Sequence, residues 1–188
     1  KGGATLSIVL RELAELPFLP SPDSVIRTAL TLAELKPGEL FVDLGCGDGR
    51  VLIIAVKEFG AQAVGVELNP LLVRLALREV RLAGVYGLAS IIHGDLFSFN
   101  VEPFDVIYCY PSPSVTRRLE LKLISECKEG CRIILHDHPL PSVKPLVSVT
   151  LPSGSVHLHK LYLYVAGRSW TPSEPAGGRG LRRKRLSG

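Results

Sequence analysis

Between Leu40 and Phe59 the chain passes from five mostly apolar residues, through Gly45, Gly47 and Gly49, directly into ten residues of helical periodicity. Residues 40–44 are expected as a buried strand and residues 50–59 as a helix, with glycines allowing a turn too tight for ordinary side chains. The alternation then repeats. Strands are expected at 63–68, 89–93, 105–110 and 132–135, with helices at 70–83 (Pro70 in its first turn) and about 114–127. Short strands that are apolar throughout and joined by helices require a parallel sheet covered on both faces. The end of the chain differs: residues 146–149 and 157–165 flank Pro152-Ser153-Gly154 as a hairpin. The expected fold is α/β, a doubly wound, mostly parallel seven-stranded sheet with an antiparallel C-terminal hairpin.

Upstream of this core, Leu6, Val9, Leu10, Leu13 and Leu16 have helical spacing, and Pro17, Pro20 and Pro22 interrupt it. Asp23 or Ser24 is expected to cap a second helix that carries Val25, Ile26, Ala29, Leu30 and Ala33 and ends near Lys36-Pro37-Gly38. The expected division is an N-terminal helix and proline-rich lead-in at 1–22, a core domain at 23–167 and a basic tail at 168–188.

A chain of 188 residues fits one such domain, and 46% hydrophobic with 21% charged residues excludes overall disorder. No apolar run approaches the roughly 18 residues that cross a bilayer, and no leader segment is recognisable, so a soluble, cytoplasmic protein is expected. Cys46, Cys109, Cys127 and Cys131 form no CxxC pair and lie in or beside apolar runs, as free thiols of a reducing compartment would. Three amides (Gln62, Asn69, Asn100) against 14 prolines hint at a thermophile. The net charge of +4 is uneven. From Gly167 onward six basic residues face one acid, which leaves the preceding body at −1. Only the tail therefore suggests a nucleic-acid partner.

The glycine turn has GxGxG spacing and no Lys-Ser/Thr after it, unlike either common phosphate loop. Asp43 before the glycines and Asp48 among them would repel phosphate and suit a cationic or amine-bearing ligand. Glu67 ends the second strand, where a carboxylate can accept both hydroxyls of a ribose. Asp95 follows the third strand in Ile91-Ile-His-Gly-Asp-Leu-Phe97, placed for an adenine edge. Asp43, Glu67 and Asp95 fall at carboxyl ends of consecutive strands, the rim where open α/β sheets bind ligands.

Asp43-Leu-Gly-Cys-Gly-Asp-Gly49, Val64-Gly-Val-Glu-Leu-Asn69, Gly94-Asp-Leu96 and the terminal hairpin together resemble the class I, Rossmann-like S-adenosylmethionine-dependent methyltransferases. The resemblance spans about residues 18–167. It implies cofactor contacts from Asp43, Gly45, Cys46, Gly47, Gly49, Glu67, Leu68, Asn69, Asp95 and Leu96, with S-adenosylhomocysteine as product and no metal. Within that class the chain is similar to the small archaeal protein-lysine methyltransferases and the mitochondrial enzymes that modify the ATP synthase c-subunit. The similar segments are Pro17-Phe-Leu-Pro-Ser-Pro22, Val42 to Arg50, Ala63 to Asn69 and Leu161-Tyr-Leu-Tyr-Val-Ala-Gly167. Protein substrates with exposed lysines are the implied partners.

Amino-group methyltransferases of adenine or glutamine carry Asn-Pro-Pro-Tyr/Phe after the fourth strand. Here Tyr110-Pro111 takes the Asn-Pro place and Ser112 replaces the second proline. Loss of the amide carbonyl fits an aliphatic amine better than a planar base, and a Lys ammonium can rest on a tyrosine face. Tyr110 and Pro111 are thus expected at the reacting centre, with Tyr108 and Tyr110 against the substrate, although Tyr108 equally suits the core. No dedicated general base is expected, the lysine proton leaving to water. Two histidine pairs, His136/His138 and His157/His159, share no local spacing, so no metal site is expected. Cys46 is expected as a small residue filling the turn and not as a nucleophile. A nucleic-acid (rRNA, tRNA or DNA) methyltransferase anchored by the tail is the alternative, and Lys184 would be a convenient self-substrate.

Overall fold

In the computed structural model residues 19–152 and 158–170 are described. Helix α1 (Asp23–Leu32) precedes an alternation of β1 (Leu40–Leu44), α2 (Arg50–Phe59), β2 (Gln62–Glu67), α3 (Pro70–Leu82) and β3 (Ala89–His93). The chain then crosses to β4 (Val106–Cys109), a 3-10 turn at Pro113–Val115, α4 (Thr116–Glu126) and β5 (Arg132–His136), and ends in β6 (Val147–Pro152) and β7 (Leu158–Val165). The strands form one seven-stranded sheet in the order β3-β2-β1-β4-β5-β7-β6. β1 to β5 run parallel, and β7 is antiparallel to both β5 and β6. The doubly wound α/β expectation holds.

Burial of both sheet faces explains the uniformly apolar strands. One core layer joins Ile26, Leu30, Leu52, Ala55 and Val80 from α1, α2 and α3 to Phe41 and Ile134 of the sheet. The other joins Leu119 and Leu123 of α4 to Ile107, Ile133 and Tyr164. Arg132 fastens the lower edge, reaching Glu39 at 2.6 Å and the carbonyls of Ala33 and Glu34 at 3.1 and 2.9 Å.

Strand order reverses at β1, so α2 and α3 lie on one side of the switch point and the β4–α4 connection on the other. A crevice opens at the carboxyl ends of β1 and β4 in such sheets. Register places Asp43 beside Gly65 on one neighbour and Tyr108 on the other.

Several boundaries differ from expectation for local reasons. Pro22 occupies the α1 N-cap with no side-chain cap bond, and Asp23 is the first helical residue, 3.7 Å from Arg27. β2 stops at Glu67, paired with His93, and Leu68 beyond it is 67% exposed. β4 is shorter at both ends. Asp105 caps its start by accepting the Leu40 N–H at 2.8 Å, and Tyr110 leaves the sheet for the crevice. β5 runs one residue further, to His136 opposite Leu161. The helix expected at 6–16, Pro17, His157, the rest of the hairpin turn and the tail from residue 171 on, with Lys184, lie outside the described residues. Among the described residues no helix is long and apolar enough to cross a membrane.

Candidate active site at the sheet switch point

Gly45, Gly47 and Gly49 have φ of 90°, 55° and 81°, so the turn between β1 and α2 is built from left-handed positions that a Cβ would strain. Gly45 and Cys46 donate their N–H groups to the Val66 carbonyl at 2.8 and 3.1 Å, which ties the turn to β2. Gly65 permits that approach: a Cβ there would stand 2.6 Å from both Cys46 Sγ and Leu52 Cδ1.

Glu67 completes the junction. Its Oε2 accepts the Gly47 N–H at 2.9 Å and its Oε1 the Asn69 N–H at 2.8 Å. Asn69 in turn caps α3, its Oδ1 accepting from Leu71 N–H at 2.8 Å. Asp43 lies deeper, 2% exposed at the end of β1. Burial, followed by the charges of Glu67 and Asp48, pushes its carboxyl well above the usual range. The same surroundings drive the Cys46 thiol upward, burial first and Asp43 next, which keeps it protonated and unreactive. Asp48 is different. Arg50 grips it through Nε at 3.1 and 3.0 Å and Nη2 at 2.6 Å, so the repulsion of anions expected from this acid is largely cancelled.

These groups border a cavity of about 640 Å³. Of the residues singled out by sequence, Asp43, Gly45, Cys46, Glu67, Leu68, Asn69, Tyr108, Tyr110 and Pro111 all line it. Gly47 and Gly49 act through the backbone, Gly47 by holding Glu67 and Gly49 as the left-handed N-cap of α2. Asp95 and Leu96 are not in the cavity wall. The Asp95 carboxylate turns back to accept the Phe97 N–H at 2.9 Å, and Leu96 packs on the second core layer. Leu19, Pro20, Ser21, Arg50, Ser112 and His138 also line the cavity and were not anticipated. For Leu19 to Ser21 the proline-rich stretch was the available signal.

On β4 and β5 a buried polar network backs the tyrosines. Ser21 Oγ lies 3.0 Å from both Tyr108 Oη and His136 Nδ1, and Tyr108 Oη lies 2.9 Å from the same nitrogen. Tyr108 is buried at 2% exposure in the core and also lines the cavity. The β5–β7 pairing brings His136 Nε2 to 2.9 Å from His159 Nδ1, so one member of each histidine pair meets across the sheet. His136, Asp137 and His159 thus gather possible ligand atoms within 4.8 Å. The two ring nitrogens face each other at hydrogen-bond distance, one donating and one accepting, so they form a side-chain network. Tyr110 stacks on His136 at a centroid separation of 3.9 Å and donates a short hydrogen bond to Asp137.

Residues 43–147 match the family described as the ANTKMT methyltransferase domain. The chain is 35% identical over 153 residues to a protein-lysine N-methyltransferase of Saccharolobus islandicus (strain REY15A), covering 81% of this chain and 94% of that protein. It is 34% identical over 154 residues to the lysine N-methyltransferase of the ATP synthase c-subunit from Mus musculus, covering 77% of this chain and 61% of that longer protein. Among solved structures, an RNA methyltransferase from Salinibacter ruber in complex with S-adenosyl-L-homocysteine superposes with a TM-score of 0.73 at 32% identity, over 78% of this chain and 93% of that one.

Proposed function

The chain belongs to the ANTKMT methyltransferase domain family, and from that premise we propose that it transfers methyl groups from S-adenosylmethionine to lysine side-chain amines of proteins. The observation that carries the cofactor assignment is Asp43. A buried carboxylate raised by burial and by two neighbouring acids is costly without a positive partner, and it faces a cavity of about 640 Å³. The donor set fits a ligand bearing an ammonium or sulfonium charge. The volume also falls within the range of roughly 300–1,000 Å³ usual for small-molecule sites.

In this proposal Asp43 offsets the positive charge of the amino-acid part of the cofactor, beside the backbone of Gly45, Cys46, Gly47 and Gly49. Glu67, already oriented by two backbone donors, presents its remaining lone pairs to the ribose, and Leu68 and Asn69 flank it. Asp95 and Leu96 are assigned to the adenine end. When bound, S-adenosylmethionine supplies an electrophilic methyl group on sulfur. The chain's own work is alignment, and holding two reactants in line can contribute about 7–11 kcal/mol. Tyr108 and Tyr110 form the aromatic wall along which the lysine stem enters, with Pro111 fixing the turn that carries Tyr110. Residues 23–167 constitute the methyltransferase domain, with 1–22 as lead-in and 168–188 as a basic tail. Three amides and 14 prolines support a heat-adapted source, the Saccharolobus relative an archaeal one, and four buried free thiols a reducing, cytoplasmic setting.

An RNA acceptor is the second reading, favoured by the Salinibacter likeness and the basic tail. Purified protein incubated with radiolabelled S-adenosylmethionine and a native or denatured lysate, with or without nuclease, separates the two. Label in protein that yields methyl-lysine on hydrolysis is the expected result. Label confined to nuclease-sensitive material would move the assignment to nucleic acid.

A further inference from the structure

The Tyr110 hydroxyl lies between the cavity and a buried carboxylate that alignment alone leaves without a role. Asp137 Oδ2 accepts the short hydrogen bond from Tyr110, and Oδ1 accepts the Lys160 N–H at 2.8 Å. The Asp137 backbone N–H is itself held by the Lys160 carbonyl at 2.7 Å. Asp137 has φ of 61°, an uncommon left-handed position for a residue with a side chain, and such positions cluster at functional sites. Stacking on His136 fixes the Tyr110 ring, so its oxygen cannot swing away from the carboxylate. Other acids at the cavity are committed elsewhere. Asp43 is assigned to the cofactor, Asp48 is paired with Arg50, and Glu67 holds the Gly47 N–H with Oε2 and the Asn69 N–H with Oε1.

We propose that Tyr110 and Asp137 form a proton relay that deprotonates the acceptor lysine, which rests on lysine being the acceptor. The incoming ammonium gives one proton to Tyr110 Oη as the Tyr110 proton passes to Asp137 Oδ2. Charge is conserved: ammonium and carboxylate become neutral amine and neutral acid. The freed nitrogen lone pair forms the new N–CH3 bond while the sulfur–methyl bond breaks and its electron pair stays on sulfur. The methylated ammonium leaves, and Asp137 releases its proton to water through Tyr110. Tyr110 would then be a catalytic residue and Asp137 a residue acting through it, in place of direct proton loss to water.

Among the described residues the groups facing Asp137 include Tyr110 from the β4 loop, His136 Nε2 at 3.6 Å from β5, and His159 Nδ1 at 3.8 Å with the Lys160 N–H from β7. Tyr108 and Ser21 connect to it through His136. Rates are therefore compared at about pH 8–10, above the ordinary range of imidazole. Only about one part in 250 of a lysine is neutral at pH 8, and about one part in 3 to 4 at pH 10.

The test measures kcat/KM against pH, with the acceptor protein labelled in the lysate experiment, for wild type, Asp137→Asn and Tyr110→Phe. Wild type is expected to be nearly flat over this window. Asp137→Asn is expected to fall about 10²-fold at pH 8 and to recover to within about fourfold at pH 10. A second readout needs no turnover. Burial and then Asp137 hold the Tyr110 hydroxyl above its usual range. In ultraviolet difference titration of the cofactor-free protein, Asp137→Asn should therefore ionise one tyrosine at lower pH than wild type. Should Asp137→Asn fail to fold, Tyr110→Phe supplies the rate profile. Parallel profiles with an unmoved tyrosine titration overturn the relay and leave lysine methylation intact. A wild type that yields no methyl-lysine overturns the lysine assignment and the relay with it.

Discussion

Gly47 donates its backbone N–H to Oε2 of Glu67 at 2.9 Å, so the glycine turn after β1 and the acid ending β2 are one structural unit. Because the other oxygen of Glu67 holds the Asn69 N–H, a single carboxylate fixes two loops. Glu67→Gln keeps the shape but replaces one acceptor with a donor, which leaves one N–H unpaired. Stability should fall by about 1–3 kcal/mol in urea unfolding. Cofactor dissociation, measured by calorimetry, should weaken by about tenfold or more. An unchanged dissociation constant would separate the turn from the site.

Asp43 should set stability against function. Its folded-state pKa is raised, so its contribution is fully present below the unfolded value near 3.8 and is lost as pH rises through the folded one. Asp43→Asn removes that loss. Without cofactor the variant should melt above wild type at neutral pH, and the gap should close as pH falls toward 3.8. Each kcal/mol corresponds to about 2–4 °C for a chain of this size. The same variant should lose cofactor binding. A melting temperature below wild type at pH 7, measured by calorimetry, would contradict this account.

Gly65 is needed for space. Alanine there would press on Cys46 Sγ and Leu52 Cδ1 at 2.6 Å, and overpacking of this kind costs about 1–3 kcal/mol. Gly65→Ala should therefore unfold at lower urea, and Cys46→Gly in the same chain should recover part of the loss. No recovery would place the whole clash on Leu52.

Lys122 is buried to 5% side-chain exposure, with Nζ 2.5 Å from the Phe99 carbonyl and 2.6 Å from Glu126 Oε2. Glu126→Ala leaves that ammonium without its counter-charge. Glu126 is 32% exposed, so solvent moderates the effect and about 1–3 kcal/mol is expected. Lys122→Met in the same background should restore most of it in a double-mutant cycle.

The sheet was legible because burial on both faces writes itself into strands such as residues 40–44 and 132–135 without needing a partner sequence. The Asp43 and Glu67 positions were legible for a similar reason, since glycines and acids at strand ends carry local signatures. Asp137 was not. Its value comes from Tyr110, 27 residues earlier, and from the Lys160 N–H, 23 residues later, contacts created only by the β4–β5–β7 pairing. Ser21 was missed likewise, because a serine between prolines gives no hint that it will meet Tyr108 and His136. At Asp95 the sequence pattern indicated the position after β3 but not the loop contact, in which the carboxylate accepts the Phe97 N–H.

The placement of β7 between β5 and β6 has a consequence for how the molecule is made. Residues 43–69, with the glycine turn and Glu67, leave the ribosome well before His159 and Lys160 on β7. The β2-β1-β4 ladder can assemble from chain already synthesised, whereas the surroundings of His136 and Asp137 wait for β7 to slot in. A nascent chain thus builds the glycine-turn side of the cavity first, and only the arrival of that strand completes the surroundings of Tyr110.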